Sequence, residues 1–159
     1  MLPHRSRELT IPQAPADSFD YIYSQGWTDG LPVVPPSKEL VASMLAATKR
    51  NPEEVITWIP PTYGAATVEK AAINAVMAGS SPEHFPIILS ALDALSNPDF
   101  YQSPIGTLTV TPLVIVNGPI RDKAGLNYGY SCLGGGTRAN ATIGRTLRLI
   151  QINIGQRGY

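Results

Sequence analysis

Apolar residues recur along the chain in short blocks, separated by proline and glycine, and the spacing inside each block sets what it can form. Residues 18–25 (SFDYIYSQ) place Phe19, Ile22 and Tyr23 at helical intervals before Gly26, which predicts a short helix. Ser37 is a good N-cap with Glu39 in the following turn, and Leu40, Val41, Met44 and Leu45 make one apolar stripe that ends at Asn51-Pro52. Residues 54–59 (EVITWI) are β-rich and stop at Pro60-Pro61, so they read as a strand, followed by a small-residue loop at 63–66. A helix is expected from Thr67 to Ala78, with Val68, Ala72, Ile73, Val76 and Met77 facing the core and Gly79 as its stop. Ser81-Pro82-Glu83 restarts a helix at once, and residues 85–95 are apolar almost all round, which predicts a buried central helix.

Residues 107–116 (TLTVTPLVIV) carry the densest β signal. Leu113–Val116 reads as an inner strand buried on both faces of a mixed or parallel sheet, with Pro112 marking an edge or bulge. The last block follows residues 130–137 and begins at Arg138: Ile143, Leu147, Ile150 and Ile154 form its apolar face. Together these blocks predict an α/β fold, a small mixed or parallel sheet with four or five helices packed on it and a Gly-rich loop leading into a C-terminal helix. Residues 1–17, with three prolines and a polar start, are expected to be an extended arm, and residues 18–159 a single α/β domain. Residues 27–36 (WTDGLPVVPP) turn at Asp29-Gly30 and then stay extended, because residues before proline avoid the helical region.

Composition changes this picture in two ways. Only 15% of residues are charged, against roughly 25% in typical soluble domains, and 12 basic residues balance 12 acidic ones, for a formal net charge of zero. So weakly charged a surface suggests burial against a second polypeptide or against itself, and it argues against nucleic acid as a partner. No apolar run is long enough to span a bilayer, and the N-terminal residues lack the apolar core of a signal peptide. A single cysteine allows no internal disulfide, so a cytoplasmic location is expected.

Candidate chemistry gathers in residues 130–145 (YSCLGGGTRANATIGR). Gly134, Gly135 and Gly136 allow close approach to the backbone, Thr137 is a good N-cap, and a glycine loop opening a helix presents free amides to an anion. Arg138 and Arg145 lie one heptad apart on nearly one face, with Thr142 near them, which suggests a site for a small anionic substrate beside Cys132. The same glycines would also serve a plain tight turn. Neither the dinucleotide fingerprint nor a P-loop is present, no nicotinamide or flavin cofactor is indicated, and no metal-ligand spacing occurs; His4 and His84 lack companions. Lys70, near a helix start among apolar residues, is a candidate acid/base group, with Asn74 one turn on; an ordinary solvated lysine is the simpler reading. Asn117 and Arg121 follow the expected inner strand, at the position where α/β proteins place ligands.

Four segments, 29–36 (DGLPVVPP), 66–79 (ATVEKAAINAVMAG), 116–120 (VNGPI) and 138–145 (RANATIGR), resemble bacterial proteins of the UGSC family (seleno)protein group. The resemblance spans most of residues 27–153. It implies a longer protein than one ending at Tyr159, and hence that this chain is one half of a larger assembly. The Cys-Gly-Ser-Cys-like motif implied by that name is absent, which counts against a redox role. Three functions fit the sequence. The first is a subunit of a hetero- or homo-oligomeric enzyme doing lyase, hydratase or isomerase proton chemistry on a small anion. The second is a non-catalytic binding or assembly subunit of a catalytic partner chain. The third is a thiol-dependent redox or transfer protein, with a Cys132 thiolate favoured by the helix start and the arginines.

Overall fold

The computed structural model describes residues 6–97, 112–133 and 135–156. It is a mixed α/β fold in which helices pack on a small sheet: α1 (Pro15–Ser24), α2 (Lys38–Leu45), β1 (Val55–Ile59), β2 (Gly64–Thr67), α3 (Val68–Ala78), a 3-10 turn (Pro82–His84), α4 (Phe85–Leu95), α5 (Ile120–Lys123) and α6 (Arg138–Asn153). Helix α1 starts three residues earlier than the sequence suggests, because Pro15 sits in the first turn, where its missing N–H is harmless. The arm before it is tied down within the described residues. The Ser6 amide donates to the Glu69 carboxylate at 3.0 Å, and Glu8 pairs with Lys38 at 2.8 Å.

Among the described residues the sheet is antiparallel and two-stranded. Val55 faces Thr67, Thr57 faces Ala66, Trp58 faces Ala65 and Ile59 faces Gly64, with an irregularity between Val55 and Thr57. Among the described residues this pair stands where a mixed or parallel sheet including Leu113–Val116 was expected. The small-residue segment 64–67 is the true partner of β1, and Leu113–Val116 is extended chain outside any strand among the described residues. Its side chains alternate: Val114 and Val116 pack on the core, whereas Leu113 and Ile115 face outward. Pro112 offers no amide to a ladder. Residues 107–111 of that expected strand lie outside the described residues.

Helix α3 is the hub. Thr67 caps it, its hydroxyl accepting the Lys70 amide at 3.2 Å, and Gly79 ends it at φ 83°. Ala71, Ala72 and Ala75 are fully buried, and such small residues let α2, α4 and α6 pack closely around it. Phe85, Ile88 and Leu92 of α4 and Leu147 and Ile150 of α6 fill the main core, each worth roughly 1.5–3 kcal/mol of burial. A second cluster of Ile22, Met77, Ala78, Leu149 and Ile152 lies under α1, with Trp27 and Val33 against it.

Candidate functional site

Helices α3 and α6 run antiparallel, and this pairing decides where each candidate side chain can act. The Ser80 and Thr146 hydroxyls meet at 3.1 Å, and farther along the pair the Asn153 Nδ2 donates to the Asn74 Oδ1 at 2.7 Å. The start of α6 therefore faces the end of α3. Arg138 donates from Nε to the Gly79 carbonyl at 2.7 Å and from Nη2 to that of Ser80 at 3.3 Å, supplying partners that the end of a helix lacks. Thr142 donates to the Arg138 carbonyl at 2.8 Å and lies 3.4 Å from Nδ1 of His84.

Arg145 does something different from its expected role as an anion ligand. Its Nε and Nη2 grip the two oxygens of Asp29 at 2.9 and 2.8 Å, and Nη2 also reaches the carbonyls of Leu31 and Pro32 at 3.2 and 2.9 Å. A bidentate fork of this kind holds the 29–32 turn against α6. Burial alone would raise the Asp29 carboxyl. The hydrogen bonds and charge of Arg145, with the Leu31 amide, outweigh burial and hold it below its ordinary value.

The cysteine loop is fastened by a residue the sequence reading passed over. Asn140, in the first turn of α6, accepts the Asn127 amide at 2.9 Å and donates to the carbonyls of Asn127 and Cys132, both at 2.8 Å. Asn127 in turn accepts the Gly129 amide at 3.0 Å and donates to the Tyr130 carbonyl at 2.9 Å. Cys132 is thereby held, half-buried, just ahead of α6. Gly135 and Gly136 are exposed, Gly136 at φ 105°; Gly134 lies outside the described residues. The Thr137 side chain makes no capping bond, contrary to expectation, so the first amides of α6 lack that partner.

Lys70 and Asn74 do not join this group. Lys70 is nine residues before Gly79, roughly 14 Å away along the α3 axis, and its ammonium donates to the Ala65 carbonyl at 3.1 Å. Asn74 is buried, donating to the Lys70 carbonyl at 2.9 Å while receiving Asn153, which also donates to the Trp27 carbonyl at 3.2 Å. Asn117 is exposed at one end of a mostly apolar groove of about 430 Å3 between α4 and residues 112–117. Arg121 stacks on Tyr128, its guanidinium carbon 3.6 Å from the ring centre. Its buried Nε is 3.5 Å from Asp122, close enough for an ion pair but without hydrogen-bond geometry.

The structure thus gathers Cys132, Gly135, Gly136, Arg138 and Thr142 at the start of α6, with Arg145 two turns on, and leaves Lys70 and Asn74 at the opposite end of the helix pair. Among the described residues no three His, Cys, Asp or Glu side chains come together as a metal site, and no helix is long and apolar enough to cross a membrane. His84 is buried. Burial, then the nearby Arg138 charge, push its ring below the ordinary histidine value. No family model, curated protein or solved structure matches this chain.

Proposed function

We propose that this chain is the binding and assembly subunit of an oligomeric enzyme acting on a small anionic organic substrate, and that the surface from Leu113 to Leu133 docks on a catalytic polypeptide. One observation carries the reading. Five large apolar or aromatic side chains of that stretch are strongly exposed, Leu113 74%, Ile115 77%, Tyr128 63%, Tyr130 99% and Leu133 88%, while Val114, Val116, Ile120 and Leu126 between them pack on the core. Single exposed apolar residues are ordinary, but a run of them within 21 positions (113 to 133) on a weakly charged chain favours an interface. Lys70, Arg138 and Arg145 are engaged with this chain's own carbonyls and Asp29, so the proton chemistry of a lyase, hydratase or isomerase would draw its acid and base from the partner. The test is sedimentation of the wild-type chain and of the Leu113→Asp, Ile115→Asp, Leu133→Asp variant with the host extract. A wild-type complex that the folded variant does not form supports the reading; identical sedimentation of the two overturns it.

A second reading, that this chain binds the anion itself, is favoured by the missing Thr137 cap. Free amides at the start of a 16-residue helix beside two exposed glycines suit a carboxylate oxygen. It calls for shifts of the 138–140 amide signals on adding small carboxylates, and unchanged signals would remove it.

A further inference from the structure

An asparagine side chain can be attacked by the backbone nitrogen of the residue after it, and the structure sorts the seven asparagines of this chain by whether that attack is open. Asn51 and Asn97 precede proline, whose nitrogen carries no hydrogen to give up. Asn74 lies inside α3, its side chain donating to the Lys70 carbonyl and accepting from Asn153. Asn140 and Asn153 lie in α6 with their side chains engaged. The amides that follow them, of Ala141 and Ile154, donate to the carbonyls of Thr137 and Ile150 at 3.1 and 2.9 Å. Asn127 is held at both ends of its side-chain amide, by the Gly129 N–H and the Tyr130 carbonyl.

Asn117 differs from all of these. It is exposed, and among the described residues neither its side-chain amide nor the Gly118 N–H has a hydrogen-bond partner. Gly118 stands in the left-handed region at φ 87°, and the space where a side chain would sit holds no atom within 4 Å, so the approach of its nitrogen is unobstructed. Asp29-Gly30 is the acidic counterpart of this dipeptide and is closed to the same reaction. Cyclisation needs a neutral carboxyl, whereas Arg145 grips both oxygens of Asp29 as a carboxylate.

We infer that Asn117-Gly118 is a self-modification site, at which Asn117 turns into aspartate and isoaspartate through a cyclic imide, with water as the co-reactant. The Gly118 nitrogen gives its proton to hydroxide and attacks Cγ of Asn117. The N–Cγ bond forms, the Cγ–Nδ2 bond breaks, and Nδ2 takes a proton from water and leaves as ammonia. Water then opens the five-membered ring. Cleavage of the N–Cγ bond restores the main chain as aspartate; cleavage at the main-chain carbonyl gives isoaspartate, with a further methylene in the backbone. One water enters, one ammonia leaves, and no atom changes oxidation state. The product adds one acid to the 12 present against 12 basic residues, just before α5 and inside the exposed 113–133 stretch. The inference does not depend on the functional reading of that stretch.

The test ages the folded wild-type chain in mildly alkaline buffer made with heavy-oxygen water, beside a free peptide of residues 113–121. Each asparagine is followed by peptide mass spectrometry that resolves isoaspartate from aspartate. Asn117 should convert in proportion to hydroxide concentration, take up one heavy oxygen and give both products, at a rate within about tenfold of the free peptide. Asn74, Asn127, Asn140 and Asn153 must first open two or more hydrogen bonds and should convert at least about tenfold more slowly than Asn117. An Asn117 that stays an amide while the peptide converts, or that converts no faster than those four, overturns the inference. Aspartate without isoaspartate overturns it too, because direct hydrolysis of the side chain needs no attack by Gly118.

Discussion

Replacing Arg145 tests most sharply how the fold is held. In Arg145→Met the aliphatic part of the side chain is kept, but Asp29 loses both hydrogen bonds and its compensating charge, and the carbonyls of Leu31 and Pro32 lose a donor. The two side chains are only 19% and 14% exposed, so the pair is largely shielded from water. Breaking a fully buried pair from one side costs about 3–5 kcal/mol; with this residual exposure we expect ~2–3 kcal/mol. For a chain of this length that corresponds to a fall in Tm of roughly 5–10 °C. Trp27 packs on the second core cluster, its carbonyl receives Asn153, and its ring meets that of Tyr21 edge-on at 6.3 Å. Its fluorescence should therefore report loosening of the 27–34 segment under native conditions. The assay is chemical denaturation of wild type, Arg145→Met, Asp29→Asn and the double variant. The account requires strong coupling, with the double variant less destabilised than the sum of the singles. A loss below about 0.5 kcal/mol for Arg145→Met, the range of an ordinary surface change, would refute it.

Other outcomes follow from the same geometry. Because the native Asp29 carboxyl is held below its ordinary value, the unfolded chain takes up that proton first as pH falls. Stability should drop below about pH 4, and Asp29→Asn should flatten that acid limb in thermal scans. Asn140→Ala removes three hydrogen bonds from the Cys132 loop and should destabilise by about 1–3 kcal/mol while speeding Cys132 alkylation; an unchanged alkylation rate would show that the loop is held otherwise. Gly64→Ala drives a new Cβ into the Ile154 carbonyl, and Gly155→Ala drives one into the Pro60 carbonyl. Each should cost about 1–3 kcal/mol or more by denaturation, whereas Gly135→Ala, with open space around it, should be near neutral.

Local signals made much of the fold legible. The Ser37 cap, the Gly79 stop, the β-rich residues 55–59 and the all-apolar 85–95 segment each announce their element within a few residues, and the structure places a helix or strand at each. Strand β2 was hidden because Gly-Ala-Ala-Thr has little β-propensity. It is a strand because β1 needs a partner and because Gly64 lets the Ile154 backbone come close. Leu113–Val116 misled for the opposite reason: strong propensity, but only one side against the core. At the candidate site the clustering around the start of α6 was readable from sequence spacing. The partners were not. Asp29 and Arg145 stand 116 positions apart, and only the fold shows that the arginine answers this carboxylate. Asn140 gave no sign of its role, since an asparagine in a first helical turn reveals neither of its contacts.

The most direct measurement of the central claim is native mass spectrometry of the chain purified gently from its own host, in parallel with the Leu113→Asp, Ile115→Asp, Leu133→Asp variant. The account predicts that the wild-type chain carries a second, different polypeptide and that the folded variant does not. A wild-type chain that flies alone at micromolar concentration, or a complex that survives all three substitutions, would contradict it.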